Sequence, residues 1–162
     1  MMRTASTPQN LTPLHLRAAH VQRVMQHVCT GLPLEVCGLM GGVGREVREV
    51  FPVPNVAKNP RVSYYMDPQE QIRILGLIER RGWELVAIYH SHPPGARTDP
   101  SPSDVAQAYW TGVVYVIVVP DTAGEIASLR AFLIDQPSSV VEIPIAIEPE
   151  ASKGGPLPPL NK

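Results

Sequence analysis

The chain has 162 residues, a mass of 17.7 kDa and a formal charge of −1, with 14 Lys and Arg against 15 Asp and Glu. That length suits one core rather than several, and so even a charge balance offers no concentrated positive surface for nucleic-acid phosphates or an anionic membrane. Glycine (12) and proline (18) are abundant, but 44% of residues are hydrophobic and fall into separate runs, so a folded domain with rigid loops is expected.

Residues 1–13 (MMRTASTPQNLTP) are polar and lack the apolar segment of a secretory signal, so they read as an arm outside the domain. No run approaches the length of a membrane span, and the expected location is cytoplasmic. Apolar residues at helical spacing from Leu14 through Val21, Val24, Met25 and Val28 predict a helix over 14–29 that stops near Gly31. Val36–Met40 and Val47–Phe51, separated by Gly41, Gly42 and Gly44, predict a hairpin.

Residues 52–66 (PVPNVAKNPRVSYYM) have no period and read as a long exposed connection. Asp67, Pro68 and Glu70 form a reciprocal helix start, followed by Ile72, Leu75 and Ile78 on one face and closed by Gly82. Trp83–Tyr89 predicts a strand running into His90, Ser91 and His92 before Pro93 and Pro94 end it. A second helix start at Ser101, Pro102 and Asp104 predicts a helix to about Trp110. Strands are then expected over 113–119, 128–134 and 140–147, and residues 148–162 read as a Pro/Gly-rich tail. Helices interleaved with strands early, and strands dominating late, predict an α/β domain over 14–147: a mixed twisted sheet flanked by helices.

The sharpest chemical feature is Tyr89-His90-Ser91-His92-Pro93. In extended chain, residues i and i+2 point the same way, so His90 and His92 can offer two imidazoles to one metal ion; alone, the pair reads equally well as incidental. Asp104 is the best third ligand offered, from the first turn of a helix beside the strand end. Two imidazoles and one carboxylate leave a position open for water, as in a catalytic rather than a structural zinc site. Taken alone, Ser101 and Asp104 read as a plain helix cap, and the cap competes with metal for Asp104. Glu35, between Leu34 and Val36, reads either as an ordinary solvated acid or as a base whose pKa apolar neighbours raise. Cys29 and Cys37 are expected to be reduced, mostly buried thiols, with Cys37 packing near the site rather than reacting.

Together, Glu35 in LEVCGLM and the run HSHPPGARTDPSPSD from His90 to Asp104 resemble the JAMM (MPN+, Mov34-type) metalloprotease family, in its bacterial or archaeal single-domain form. The resemblance implies a cytidine-deaminase-like α/β fold, Zn2+ held by His90, His92 and Asp104, Glu35 as general acid/base, and Ser101 as donor to the developing oxyanion. It implies hydrolysis of a peptide or isopeptide bond after the C-terminus of a ubiquitin-like or sulfur-carrier protein. Two alternatives stand beside it: a non-enzymatic MPN-type scaffold, or a zinc hydrolase of small amides or cysteine-loaded carriers. One spacing departs from the family: eight residues, Pro93 through Pro100, separate His92 from Ser101 where seven are usual. The expected partner is a carrier protein with an extended C-terminal tail, with no nucleic acid and no membrane, and the oligomeric state is left open.

Overall fold

The computed structural model describes residues 11–136 and 139–150. The arm read at the N-terminus lies outside the described residues up to 10, and the tail read at the C-terminus does so from 151. The elements in chain order are β1 (Leu14–Arg17), α1 (Ala18–Gly31), β2 (Cys37–Val43), β3 (Glu46–Val53), α2 (Pro68–Arg80), β4 (Glu84–Ser91), α3 (Pro102–Ala106), β5 (Val114–Pro120), β6 (Ile126–Asp135), β7 (Ser139–Ile143) and β8 (Ile145–Glu148).

The helix expected from residue 14 begins four residues later. Leu14 and Leu16 are buried while His15 between them is half-buried, and the segment pairs in parallel with β8 and β3. A two-residue alternation and the start of a helical stripe look alike over four positions, and only the neighbouring strands decide between them. From Ala18 onward the helix buries His20, Val24 and Val28 along one stripe.

The β2–β3 hairpin forms as expected, with Gly44 at its turn at a φ of +61°. Gly38 on β2 sits opposite Tyr89 on β4, and a Cβ there would lie 2.3 Å from the Tyr89 ring, so the missing side chain is what lets these two strands pair. Asp67 caps α2 through Gln69 N–H, but the expected return bond from Glu70 is absent because Glu70 is engaged with Arg73. The buried face of α2 is Ile74 and Ile78, and Ile72, expected on it, is 71% exposed. The helix predicted from Ser101 to Trp110 ends at Ala106: Gln107 N–H bonds back to Ser103, and Trp110 N–H is taken by the Tyr115 hydroxyl.

The strand expected over 140–147 is broken at Pro144 into β7 and β8, and the two halves serve opposite edges of one eight-stranded sheet, ordered β7-β6-β5-β4-β2-β3-β1-β8. Consecutive strands at the two ends of that order require the sheet to curl until its edges meet. Leu14 N–H donates to the Pro144 carbonyl at 2.9 Å across the junction. Leu14 and Leu16 from β1, next to the β8 edge, and Ile143 from the β7 edge share a core with Val24 and Val28, so the sheet curls around α1. The opposite face packs Leu39, Phe51, Ile88 and Ile117 against Ile74 and Ile78 of α2. Among the described residues no helix is long and apolar enough to cross a membrane.

Candidate metal centre and active site

Strand β4 lies in the middle of the sheet, antiparallel to β2 and parallel to β5, and its end carries the chemistry. His90 is the strand's penultimate residue, and His92 continues it, with its N–H donating to the Val118 carbonyl at 2.9 Å. The two side chains point the same way, as their spacing predicts, and their Nε2 atoms stand 3.0 Å apart. Asp104, in the first turn of α3, brings Oδ1 to 3.3 Å from His90 Nε2 and Oδ2 to 3.2 Å from His92 Nε2.

Asp104 makes the cap and also contacts both histidines. Oδ2 accepts from Ser101 N–H at 2.8 Å while Ser101 Oγ accepts from Asp104 N–H at 3.1 Å. The cap therefore aims the carboxylate at the imidazoles. Burial acts to raise the Asp104 pKa, but the hydrogen bonds with His90 and His92 outweigh it and hold the carboxyl well below its usual range.

Glu35 is 5% exposed, not a solvated acid, and its carboxylate lies with the two imidazoles inside a 4.8 Å cluster. Burial pushes its pKa up to about 7; the nearby His92 opposes this and the charge of Asp104 adds to it. Its backbone position is fixed from both sides. Ser91 Oγ accepts from Val36 N–H at 2.9 Å, and the Asn55 side-chain amide donates to the Glu35 carbonyl at 2.9 Å. Ser91 and Asn55 carry no sequence signal for this role, since each acts on backbone far away along the chain. Tyr64, in the long connection after β3, stacks its ring on His90 with centroids 4.4 Å apart.

The protonation pattern suits a cation. The Arg97 carbonyl can only accept, so His92 Nδ1 carries the hydrogen of that 2.8 Å bond and Nε2 is the ring nitrogen directed at His90 and Asp104. Two imidazole nitrogens and a carboxylate at these separations need a proton or a metal ion among them. His90 Nδ1 is buried without a hydrogen-bond partner, so only the Tyr64 stacking and the Nε2 contacts orient this ring. The donor set, two nitrogens and a carboxylate oxygen, is one that zinc accepts.

Glu35, Val62, His92, Pro93, Arg97 and Ser101 line a groove of about 230 Å3 over this cluster. Cys37 packs beside the site as expected. Burial, helped by the charge of Glu35, pushes its thiol up to about 12, which favours the protonated thiol over the thiolate. Cys29, expected to be buried, is instead exposed at the end of α1, its thiol donating to the Gly124 carbonyl at 3.3 Å.

A curled mixed sheet that presents His92, a capping aspartate and a buried glutamate to one groove, with His90 buried directly against His92 and Asp104, is the arrangement expected of a JAB/MPN-type domain. The chain belongs to the family described as prokaryotic homologs of the JAB domain, whose sequence pattern matches residues 17–133. It is 42% identical over 116 residues to the desampylase of Haloferax volcanii, covering 67% of this chain and 81% of that one. To the probable TtuB-protein conjugate cleaving protease of Thermus thermophilus it is 38% identical over 127 residues, covering 78% and 80%. To the CysO-cysteine peptidase of Mycobacterium tuberculosis it is 32% identical over 108 residues, covering 65% and 72%. Among solved structures, a protein from Desulfitobacterium hafniense superposes with a TM-score of 0.71 at 29% identity, covering 85% of this chain and 94% of the other.

Proposed function

We propose that the chain is a zinc-dependent peptidase or isopeptidase that hydrolyses the bond following the C-terminus of a ubiquitin-like or sulfur-carrier protein. The observation that carries this reading is the meeting of His90 Nε2, His92 Nε2 and the Asp104 carboxylate beside Glu35, with His92, Asp104 and Glu35 lining one groove. The names of the relatives support the substrate class: one is described as a probable TtuB-protein conjugate cleaving protease and another as a CysO-cysteine peptidase.

His90, His92 and Asp104 would hold the zinc ion. When bound, it supplies Lewis acidity that polarises the scissile carbonyl and eases deprotonation of water. Glu35, which holds or releases a proton near neutrality, takes the proton from the attacking water and returns it to the departing nitrogen. Ser101 spends its oxygen lone pair on Asp104 N–H, so its own hydrogen is free to donate to the oxyanion that forms at the carbonyl. No covalent link between enzyme and substrate is needed. An extended tail would lie between the connection expected over 52–66, whose first two residues belong to β3, and the 93–100 loop, since Val62 from one and Pro93, Ala96 and Arg97 from the other line the groove.

Elemental analysis of zinc, joined to mass spectrometry of carrier-protein fusions incubated with the chain, tests the reading. One zinc per wild-type chain and cleavage directly after the carrier's C-terminus are expected. Glu35→Gln should keep zinc and lose about 10²–10⁴-fold in turnover, the usual span for a general acid/base. His92→Ala should lose both zinc and turnover. Equal zinc loss in the two variants would overturn the division of roles, and full zinc occupancy without cleavage of any fusion would favour the scaffold alternative.

A further inference from the structure

Arg130 on β6 is far from the groove in sequence, yet its guanidinium reaches the groove's rim. Nε and Nη2 form a fork with the Glu142 carboxylate on β7, at 2.9 and 2.8 Å, and Nη1 donates to Thr98 Oγ1 at 2.9 Å. A planar guanidinium with two nitrogens fixed on one carboxylate has little freedom in where the third points. The ring of Phe132 lies 5.1 Å below it and supports the plane. Thr98 is thus tied to the sheet, and its chain neighbour Arg97 supplies the carbonyl that accepts the His92 Nδ1–H at 2.8 Å. The other ion pair in this loop, Arg97 with Asp99 at 2.9 Å, is internal to the loop and ties it to nothing outside.

We propose that Arg130 and Thr98 are positioning residues for His92: they pin the 93–100 loop so that the Arg97 carbonyl keeps His92 in the tautomer whose Nε2 is bare for the metal. This rests on the metal-binding reading of His90, His92 and Asp104. It also accounts for how the eight-residue loop, one longer than the family spacing, keeps its place: an added residue costs little closure entropy, so a tether rather than length must fix the carbonyl.

The test uses the full chain loaded with zinc. Arg130→Met keeps a stem over Phe132 but removes the donors, Thr98→Val keeps shape but removes the acceptor, and Thr98→Ser keeps the hydroxyl. Three quantities are read: zinc release into excess chelator, the His92 Nδ1–H resonance, and thermal unfolding as a check on the fold. Arg130→Met and Thr98→Val should each release zinc about tenfold faster, the low end for a residue acting through a ligand's partner, and should broaden or lose the Nδ1–H signal. Thr98→Ser should match wild type. Thr98→Val changes no charge and carries the test if Arg130→Met does not fold. Wild-type release in a folded variant, or faster release with an unchanged Nδ1–H signal, would overturn the proposal. Zinc retained by His92→Ala would instead overturn the metal reading beneath it.

Discussion

His90 and His92 show how two neighbouring imidazoles are driven to opposite acid–base behaviour. Burial lowers the His90 pKa, whereas for His92 the hydrogen bonds and charge of Asp104, with the Arg97 carbonyl, overcome burial and raise it. A metal ion must therefore displace a proton mainly from His92. Zinc affinity should weaken as pH falls through the raised His92 pKa, by about tenfold per pH unit for one displaced proton, as a competition titration between about pH 5.5 and 8 would measure. Glu35 gives a prediction of its own. Its pKa in the fold, about 7, lies above the ordinary 4.5, so the metal-free chain has its full stability below the ordinary value and loses this contribution as pH rises through 7. The neutral amide introduced by Glu35→Gln carries no such charge. The metal-free variant should thus unfold at a higher temperature than metal-free wild type at pH 8 and at a similar one at pH 4, which separates lost turnover from lost fold.

Elements place these residues, and the sequence disclosed the elements unevenly. The strand end at His90-Ser91-His92 was legible because Pro93 and Pro94 stop it, and the start of α3 because Ser101 and Asp104 make a reciprocal cap. The start of α1 and the split of the last strand were not, since four residues of alternation satisfy either period and Pro144 marks a break without saying where each half goes. Gly38 is the element-scale position most open to test. A methyl group there meets Tyr89 carbon atoms at 2.3 and 2.5 Å, and Tyr89 is fully buried with its hydroxyl 2.7 Å from His27 Nδ1. Gly38→Ala must push β2 and β4 apart or turn the ring, at a cost of about 1–3 kcal/mol for overpacking. Denaturant unfolding would show it, and because His90 follows Tyr89, zinc should also bind more weakly.

At the scale of the whole molecule, closure of the sheet is the decisive event. Leu14 stands beside the point where the two edges approach: its side chain is fully buried in the core around α1 together with Ile143 of β7, and its N–H bonds to the Pro144 carbonyl between β7 and β8. Leu14→Ala should cost about 2–5 kcal/mol, the range for a large buried aliphatic truncated to alanine, read from the shift in denaturant midpoint. Because β4 stands in the middle of the sheet and His90 is 1% exposed, the site should survive this change in folded molecules, with turnover per folded chain unchanged.

The sequence by itself put forward Glu35, His90, His92, Ser101 and Asp104 as candidates, because strand alternation, a proline stop and a helix cap are local rules that act over a few positions and fix how neighbouring side chains point. Tertiary structure alone decided that Glu35 is buried with its pKa raised, that Asp104 caps α3 and faces both histidines at once, that Ser91 and Asn55 bond the backbone on either side of Glu35, and that Arg130 reaches Thr98. Each of those depends on groups distant along the chain being brought within hydrogen-bond reach and out of water, and no local pattern encodes the dielectric or the partner that folding supplies.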